Sequence, residues 1–341
     1  MGQAEVFFLS SRLRDPARPI TVARLAIFCV SALVIACGSD RSSSRSSRDQ
    51  PRNHSAKSSS AAQPTPKSVE AQSSAPSCDD LAPLATRYPD APRIVAMGDL
   101  HGDLQVTRAA LRLGGAIDEK DEWIGGDLVV VQTGDILDRG DGEQAILDLF
   151  ERLADRAGRA GGAVHVLNGN HELMNAAADF RYVTVGGFED FDDVEGLDLT
   201  QAGFDRVPER ARARLAAFKP GGPYALLLAG HNTVVVVGDT VFVHGGVSPA
   251  YADKGVIERL NREVRCWLVG GGPEPRALLH GQDSPVWSER YSTPPEDCAA
   301  LDEVLAKLGA KRMVMGHEPQ LSGITSACDG KAWRIDSGLP A

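Results

Sequence analysis

The sequence predicts an α/β domain with mixed β-sheets, on the evidence of two patterns. Short β-branched runs alternate with stretches of helical periodicity, which is the βαβ alternation of a sheet with parallel strands. Farther along, two apolar runs flank Gly238 and Asp239, a dipeptide typical of a hairpin turn and therefore of antiparallel pairing. Parallel and antiparallel strands together indicate mixed sheets rather than a purely parallel one.

The predicted elements can be justified one after another. Helix 103–115 stops at two glycines, and helix 143–157 carries apolar residues at helical spacing. The predicted strands are short apolar runs, most of which end in glycine and polar residues. In chain order the predicted elements are strand 93–99, helix 103–115, strand 128–135, helix 143–157, strand 163–172, hairpin 232–246, helix 301–310, strand 311–317 and strand 331–338.

The composition allows one large domain or two small ones with a sizeable core, because the chain has 341 residues of which 43% are hydrophobic. The formal net charge is -10. This charge would repel a polyanion, so nonspecific binding of nucleic acid is not expected. A small phosphorylated substrate stays compatible with it, because a local positive site could still hold a phosphate group.

Residues 1–37 are predicted to be a signal peptide. Several arginines precede an apolar run at 25–36, which is shorter than the roughly 20 residues that span a bilayer. The run ends in V-I-A-C, which resembles a bacterial lipoprotein cleavage site and implies cleavage before Cys37 and lipid attachment to it. An ordinary signal peptide and an uncleaved anchor are the alternatives. The lipoprotein interpretation predicts an exported, membrane-anchored protein in the periplasm or at the cell surface.

The Ser-rich composition of residues 38–77 predicts a disordered tether, because so few large apolar residues cannot offset the entropy of ordering. The folded domain is predicted to span residues 78–341. Its four cysteines are Cys78, Cys266, Cys298 and Cys328. In an exported protein they could form two disulfides, with three possible pairings, and buried thiols are the alternative.

Five predicted strands end in polar groups of the kinds that bind metal ions. Ligands of α/β proteins gather at the carboxyl ends of strands, and glycines there let the backbone approach a ligand closely. Each cluster alone is weak evidence, because a single D-x-H is more often a turn and a histidine after a strand is often a core residue. The clusters are Asp99 with His101, Asp135 with Asp138 and Arg139, Asn170 with His171, His244, and His317.

Taken in order, these clusters resemble the motifs of the calcineurin-like metallophosphoesterases: D-x-H, GD-x-x-DRG, GNHE, HGG and GH. The segments GNHELMN, DFRYVTVGGF, PVWSERY and RMVMGHEPQ are most similar to the Shewanella-like protein phosphatases, a branch of the phosphoprotein phosphatase family. The similarity covers about residues 90 to 338. It implies that 78–341 is a metallophosphoesterase catalytic domain, a sandwich of two mixed β-sheets flanked by helices.

The resemblance also implies two divalent metal ions. Asp99, His101 and Asp135 would hold the first ion. The second would be held by Asp135, which bridges the two, with Asn170, His244 and His317. Oxygen and imidazole donors suit manganese, iron or zinc and do not choose among them. A hydroxide bridging the two ions would attack phosphorus.

Three further residues receive catalytic roles from the resemblance. His171 would protonate the leaving group, Asp138 would orient that imidazole, and Arg139 would grip phosphate oxygens in a bidentate manner. For Asp138 and Arg139 the alternative is an ion pair in a surface turn. Arg290, in SPVWSERYS, is a candidate for a second phosphate arginine, and a plain surface arginine is the alternative.

The predicted activity is hydrolysis of phosphomonoesters on phosphorylated proteins or peptides, with the choice among serine, threonine and tyrosine left open. A hydrolase of nucleotides or diadenosine tetraphosphate is the rival enzyme. Those enzymes carry a GDLVNRG-like second motif, whereas this chain has Asp138 in place of its asparagine, which favours the protein phosphatases. A noncatalytic metal-binding surface module is the rival of another class. Pure binding would have no use for a positioned acid, so Asp138, Arg139 and His171 argue against it.

Two charged segments are assigned no catalytic role. The acidic stretch 189–198 lacks the spacing of a calcium loop and is predicted to be a solvated insertion. The segment PERARARL, residues 208–215, is predicted to present an exposed basic helix face. His165 lies in an apolar strand and is predicted to be a core residue.

Overall fold

The computed structural model describes Glu5–Leu9, Ala23–Arg24 and residues 78–253 and 255–338. The predicted cleavage site before Cys37 and the predicted tether at 38–77 lie outside these residues, and both stay predictions. Among the helices of the described residues, none is long and apolar enough to cross a membrane.

Strands and helices alternate along the chain as the sequence patterns predict. The strands are β1 Glu5–Leu9, β2 Ala23–Arg24, β3 Arg87–Tyr88, β4 Arg93–Met97, β5 Val129–Gln132, β6 Ala163–Val166, β7 Val234–Val237, β8 Thr240–Val243, β9 Arg312–Met315, β10 Thr325–Ala327 and β11 Ala332–Arg334. The helices are α1 Leu104–Leu113, α2 Glu143–Ala160, α3 Asn170–Ala176, α4 Val185–Glu189, α5 Glu209–Phe218, α6 Pro223–Leu228, α7 Val256–Leu268, α8 Arg276–His280 and α9 Cys298–Leu308.

The first sheet has the strand order β2-β1-β4-β5-β6. Strands β1, β4, β5 and β6 pair in parallel, and β2 pairs with β1 in the antiparallel direction. The helices α1 and α2 follow β4 and β5, so this part of the chain is the predicted βαβ alternation. Strand β1 belongs to the segment predicted to be a signal peptide, and the removal of that segment stays a prediction.

The second sheet has the order β10-β11-β9-β8-β7-β3. The hairpin predicted around Gly238 is present, because β7 and β8 pair in the antiparallel direction. Gly238 has a φ of 57°, a backbone conformation that glycine adopts without steric cost. Parallel pairs β8–β9 and β9–β11 complete a mixed sheet.

The two sheets pack face to face, with helices on their outer faces. Along β4, Ile94 and Ala96 belong to an apolar cluster shared with Phe242 and Val314 of the second sheet. The alternate residue Val95 belongs to a larger cluster that includes the helices α1, α2, α7 and α9. This two-residue alternation is what a strand buried on both faces requires. The prediction of a sandwich of two mixed sheets flanked by helices is confirmed.

The ends of the helices have local causes in the sequence. Asp103 caps α1, because its side-chain oxygen accepts a hydrogen bond from the amide of Val106 at 3.0 Å. Asp297 caps α9 in the same way. At the other end of α2, Gly161 has a φ of 88° and closes the helix in the left-handed conformation.

The four cysteines of the described domain form two disulfides. Cys78–Cys266 joins the start of the domain to α7, and Cys298–Cys328 joins α9 to the turn between β10 and β11. Of the two possibilities that the sequence left open, the structure contains the disulfides.

The prediction that segment 208–215 presents an exposed basic helix face is wrong at Arg214. This segment forms most of α5, and Arg210 on it is exposed. Arg214 is 0% exposed, and its guanidinium pairs with Asp138 and Glu143. The acidic stretch 189–198, in contrast, is exposed over most of its length, as predicted.

Candidate active site

The carboxyl ends of β4, β5, β6, β8 and β9 bring all six predicted metal ligands into one region. Parallel strands of neighbouring position end at the same edge, so the loops that follow them meet. His317 is half-buried, and the other five ligands are each no more than 3% exposed. The six residues are Asp99, His101, Asp135, Asn170, His244 and His317.

Asp135 lies at the centre of this region, between two groups of ligand atoms. On one side its Oδ2 atom is 3.8 Å from Nε2 of His101, and that nitrogen is 4.0 Å from Oδ2 of Asp99. On the other side Oδ1 of Asp135 is 3.2 Å from Nε2 of His244. A carboxylate placed in this way can supply one oxygen to each of two cations.

Asn170 completes the second group. Its Oδ1 atom is 2.7 Å from Nε2 of His244 and 3.1 Å from Nδ1 of His317. Asp135, His244 and His317 have ligand atoms close enough together to hold one ion. The neutral amide and the two imidazoles therefore surround one oxygen of the shared carboxylate.

The orientation of two histidines turns their Nε2 atoms towards Asp135. His101 Nδ1 is 2.9 Å from the carbonyl oxygen of Leu137, and His244 Nδ1 is 3.0 Å from that of Thr133. Because a carbonyl oxygen only accepts hydrogen bonds, each Nδ1 carries the proton and each Nε2 keeps its lone pair.

Burial keeps two of the ligand histidines, His101 and His317, neutral at physiological pH. It lowers the pKa of His101 to about 4, and burial together with the neighbouring His244 lowers the pKa of His317 to about 3. A neutral imidazole is the form that coordinates a cation. These two histidines therefore need not lose a proton when a metal binds.

The carboxylates carry more buried negative charge than the surrounding protein compensates. Burial, followed by the charges of Asp336 and Asp135, raises the pKa of Asp99 well above its usual range. Oδ2 of Asp99 is buried and has no hydrogen-bond partner among the described residues. Divalent cations would satisfy this oxygen and neutralise the cluster, so the residues fit a dinuclear metal centre.

Backbone strain is concentrated at the same loops. Five predicted site residues have a φ between 44° and 69°, a region that side chains other than glycine seldom adopt. Such conformations cost of order 1–3 kcal/mol each and cluster at active sites. The five residues are His101, Asp135, Asp138, Arg139 and His317.

His171 and Asp138 form the predicted pair. Nδ1 of His171 is 2.6 Å from Oδ2 of Asp138, and both side chains are buried. Nε2 of His171 points to the shared carboxylate, 3.7 Å from Oδ2 of Asp135. The negative charges of Asp135 and Asp138 outweigh the effect of burial and raise the pKa of His171.

Arg139 is exposed at the rim of this region, and its guanidinium lies beside His101 and His171. Its Nη1 atom is 2.9 Å from Nε2 of His101, and its Nη2 atom is 3.4 Å from Nε2 of His171. The guanidinium also lies 5.5 Å from the ring centre of Tyr182. A cation in this position can meet an anion that enters the site.

Arg290 lines a groove to which Asn170 also contributes. The groove has a volume of about 840 Å³, and Met174, Arg181 and Trp287 also line it. Arg290 pairs with Asp283 and Asp297, each at 2.9 Å. Its position on the groove agrees with contact to a substrate, but its guanidinium is committed to two carboxylates.

Sequence reasoning did not identify Glu172, which organises the loops of the site. Its carboxylate accepts hydrogen bonds from the amides of Asp135 at 2.8 Å and Gly169 at 2.7 Å, and from Ile136 and Leu137. It is the last letter of the GNHE motif, so its proximity to Asn170 was an available signal. Arg214 gave no such signal, because it is far from the motifs in the chain.

Comparisons with known proteins agree with the fold and the site. The family model for calcineurin-like phosphoesterases matches residues 92–321. Shewanella-like protein phosphatase 2 of Arabidopsis thaliana is 43% identical over 288 residues, which cover 75% of this chain and 73% of the relative. Shewanella-like protein phosphatase 1 of Plasmodium berghei is 30% identical over 259 residues, or 72% of this chain and 67% of the relative.

A solved structure is also similar. The cold-active protein-tyrosine phosphatase of a psychrophilic Shewanella species superposes with a TM-score of 0.58 at 25% identity, covering 74% of this chain and 73% of that one. Fold, site chemistry and family model together define a metal-dependent phosphoesterase. Within that class, this chain belongs to the calcineurin-like phosphoesterases of the Shewanella-like protein phosphatase group. The resemblance found in the sequence is confirmed.

Proposed function

We propose that this chain is a metal-dependent protein phosphatase that hydrolyses phosphomonoesters on phosphorylated proteins or peptides. One observation carries the proposal: the His171–Asp138 pair faces the same carboxylate, Asp135, around which both ligand groups are built. A metal-binding module without activity has no use for an acid in that position. The names of the relatives from Arabidopsis and Plasmodium support the same class of substrate.

The ligand assignment is part of the proposal. Asp99, His101 and Asp135 would hold one divalent cation. Asp135, Asn170, His244 and His317 would hold the other. Manganese, iron and zinc all suit these donors. When bound, the two ions supply an acidified water as nucleophile and polarise the phosphoryl group.

The remaining steps belong to side chains of this chain. Arg139, exposed at the rim, binds phosphate oxygens in a bidentate manner and aligns the ester. His171 donates its Nε2 proton to the leaving oxygen as the ester bond breaks. Asp138 accepts the Nδ1 proton in a hydrogen bond and stabilises the charged imidazole. Arg290 lines the groove beside this site, where its guanidinium pairs with Asp283 and Asp297.

Phosphotyrosine is the first side chain to test, because the similar solved structure is described as a protein-tyrosine phosphatase. The groove beside Asn170 supports a polypeptide rather than a small metabolite as substrate, since it extends well beyond the ligand cluster and carries both acidic and basic residues. Trp287 on its wall can pack against an aromatic ring.

The test uses the purified chain with added manganese. Phosphate release is measured from matched peptides that carry phosphoserine, phosphothreonine or phosphotyrosine, and from diadenosine tetraphosphate. The proposal predicts release from at least one peptide and none of comparable rate from the dinucleotide. Cleavage of diadenosine tetraphosphate alone would establish the rival nucleotide hydrolase. No hydrolysis by metal-loaded protein would favour the binding module.

We also propose that the protein is exported and anchored to a membrane through lipid on Cys37. The two disulfides support export, because such bonds persist in oxidising compartments. Labelled fatty acid should enter the protein in cells, and Cys37→Ser should abolish the labelling. Labelling that survives the substitution would contradict the assignment.

A further inference from the structure

We propose that Arg214 is a positioning residue for the reaction, which fixes Asp138 and, through it, the imidazole of His171. This inference rests on the proposed function, because it concerns the group assigned to protonate the leaving oxygen. The contact is direct: Nη2 of Arg214 donates to Oδ1 of Asp138 at 3.2 Å, while Oδ2 of the same carboxylate faces His171. Asp138 is therefore held between a cation and the proposed acid.

The other two nitrogens of Arg214 also have partners, which hold its guanidinium in place. Nε donates to Oδ1 of Asn175 at 2.7 Å, and Nη1 donates to the carbonyl oxygen of Gly187 at 2.7 Å and to Glu143. The plane also lies 5.0 Å from the ring centre of Phe191. A planar fork with five donors meets these demands, and lysine could meet only part of them.

Asn175 and Glu143 each form a second bridge between Arg214 and Asp138. Asn175 accepts from Arg214 and donates through Nδ2 to Oδ1 of Asp138 at 3.0 Å. Glu143 pairs with Arg214 and also accepts a hydrogen bond from the amide of Asp138. Asp138 has a φ of 68°, so this bond helps to hold a backbone conformation that is otherwise costly.

The four residues of this hydrogen-bond network are fully buried, so the loss of one member leaves the others without a substitute partner. Arg214, Asp138, Glu143 and Asn175 are all 0% exposed, so the carboxylates have no water to satisfy them. With Arg214 removed, Asp138 would lose its cationic partner, and Asn175, which also holds Asp138, would lose the donor that anchors its own side chain, so Asp138 could turn away from His171. The imidazole would then lose both its orientation and the charge that stabilises its protonated form.

The test compares two substrates of the same shape, phenyl phosphate and p-nitrophenyl phosphate. Departure of phenolate needs a proton far more than departure of p-nitrophenolate does. For Arg214→Met we expect kcat on phenyl phosphate to fall by roughly 10²-fold and kcat on p-nitrophenyl phosphate to fall by less than about 10-fold. Arg214→Lys should recover part of the first loss. Metal content should stay at the wild-type value.

Arg210→Met is the matched control, because it removes the same charge from the exposed side of the same helix. Its two rates should equal those of the wild type. Equal losses on both substrates for Arg214→Met, or loss of metal, would mean that Arg214 only supports the fold, and the inference would be overturned.

A double variant decides whether Arg214 acts through Asp138. Asp138→Asn combined with Arg214→Met should be no slower on phenyl phosphate than Asp138→Asn alone, because residues that act as one unit do not add. The double variant removes the charge of Asp138 together with the charge of Arg214, so neither charge is left buried without the other. If Arg214→Met does not fold, the same comparison is made with Arg214→Lys. Additive losses would overturn the inference.

Failure of the inference is distinguishable from failure of the proposed function. If the wild type releases phosphate and His171→Asn shows the dependence on leaving group while Arg214→Met does not, only the role of Arg214 is wrong. If the metal-loaded wild type hydrolyses neither aryl phosphate nor any phosphopeptide, the proposed function itself is wrong.

Discussion

His171 and Asn170 are neighbours in the chain, but they face different partners in the folded protein. Asn170 meets His244 and His317, whereas His171 meets Asp138. His171→Asn should therefore lower kcat on phosphoserine by roughly 10²–10⁴-fold. The effect on p-nitrophenyl phosphate should be much smaller, because that leaving group hardly needs a proton. Steady-state rates on the two substrates make the comparison.

Metal analysis of the same variant tests the rival role. The Nε2 atom of His171 lies close enough to His101 and Asp135 to join a metal site. If His171 is a ligand, His171→Asn should lose metal and slow equally on both substrates. With His171 as the acid, the ion content stays at two per chain. Asp138→Asn should imitate the rate effect more weakly, by removing the charge that stabilises the imidazolium.

Asp135 is the ligand whose loss should matter most, because its two oxygens face different ligand groups. Elemental analysis of the wild type should find close to two divalent ions per chain. In Asp135→Asn, which has one fewer charge and a single carbonyl oxygen, we expect metal content to fall below one per chain. Asp99→Asn serves as the comparison, since it should weaken one ion only. A wild-type value near zero after metal-replete purification would rule out the dinuclear centre.

The predicted ligands could be found in the sequence because each follows a recognisable strand within a short motif. Asp99, Asp135 and Asn170 are all displaced from a strand end by only a few residues. Arg214 could not be found in that way. It belongs to a helix whose letters alternate arginine and alanine, and its burial depends on Asp138, which lies 76 residues away.

His165 in strand β6 should make the stability of the folded protein depend on pH in the acid range. His165, predicted to be a core residue, is half-buried and stacks on Tyr88 with ring centres 4.0 Å apart. Burial lowers its pKa to about 4. Between the unfolded pKa of about 6.5 and that value, the unfolded chain binds a proton that the folded protein does not. Stability is therefore lost as the pH falls from about 6.5 to about 4.

His165→Phe should remove this loss while keeping an aromatic ring beside Tyr88. We expect the free energy of unfolding of the variant to fall less than that of the wild type between pH 7 and pH 4.5, by up to about 2 kcal/mol. Urea unfolding at both pH values measures the difference. Identical pH dependence in the two proteins would contradict the assigned role of His165.

The loop between β6 and α3 has no room for a side chain at Gly169. A Cβ atom there would lie 2.3 Å from Oδ1 of Asp135 and 2.8 Å from its amide nitrogen. Gly169→Ala should therefore displace the shared ligand and lower both metal content and activity by at least about 10-fold, since a small misplacement is costly at a reacting site. Gly158→Ala is the control, because a Cβ atom in that position meets nothing within 4 Å. Metal content and kcat of the two variants are compared with those of the wild type.

The extents of the strands were predicted too long, for a physical reason. The prediction placed residues 163–172 in one strand, but β6 ends at Val166 and α3 begins at Asn170. Polar residues and glycines after the apolar run leave the sheet to reach the site. Between residues 176 and 280 the basic segment predicted α5, whereas α4, α6, α7 and α8 were not predicted. The short helices α4, α6 and α8 have only five or six residues, and their positions depend on packing against the sandwich rather than on a strong local period.

Metal ions should raise the free energy of unfolding of the whole domain, because they bind the native cluster and not the unfolded chain. At a free concentration of 100 times Kd, one ion contributes roughly 2.7 kcal/mol. Chelation should therefore lower the Tm by several degrees, and added manganese or zinc should restore it. Differential scanning fluorimetry checks this, with Asp135→Asn as the control that should respond weakly. An unchanged Tm after complete metal removal would contradict the proposed site.

The disulfide Cys78–Cys266 spans 188 positions of the chain. The exposed acidic stretch 189–198 lies between its two ends, so a protease that cuts there separates the polypeptide into two pieces that stay covalently joined. The pieces contribute different strands to one sandwich, and all three proposed ligands of the first ion lie on the first piece. A nicked molecule should therefore migrate at full mass on a gel without reductant and as two fragments with it. In a protease-rich compartment, a cut molecule would then keep both of its pieces.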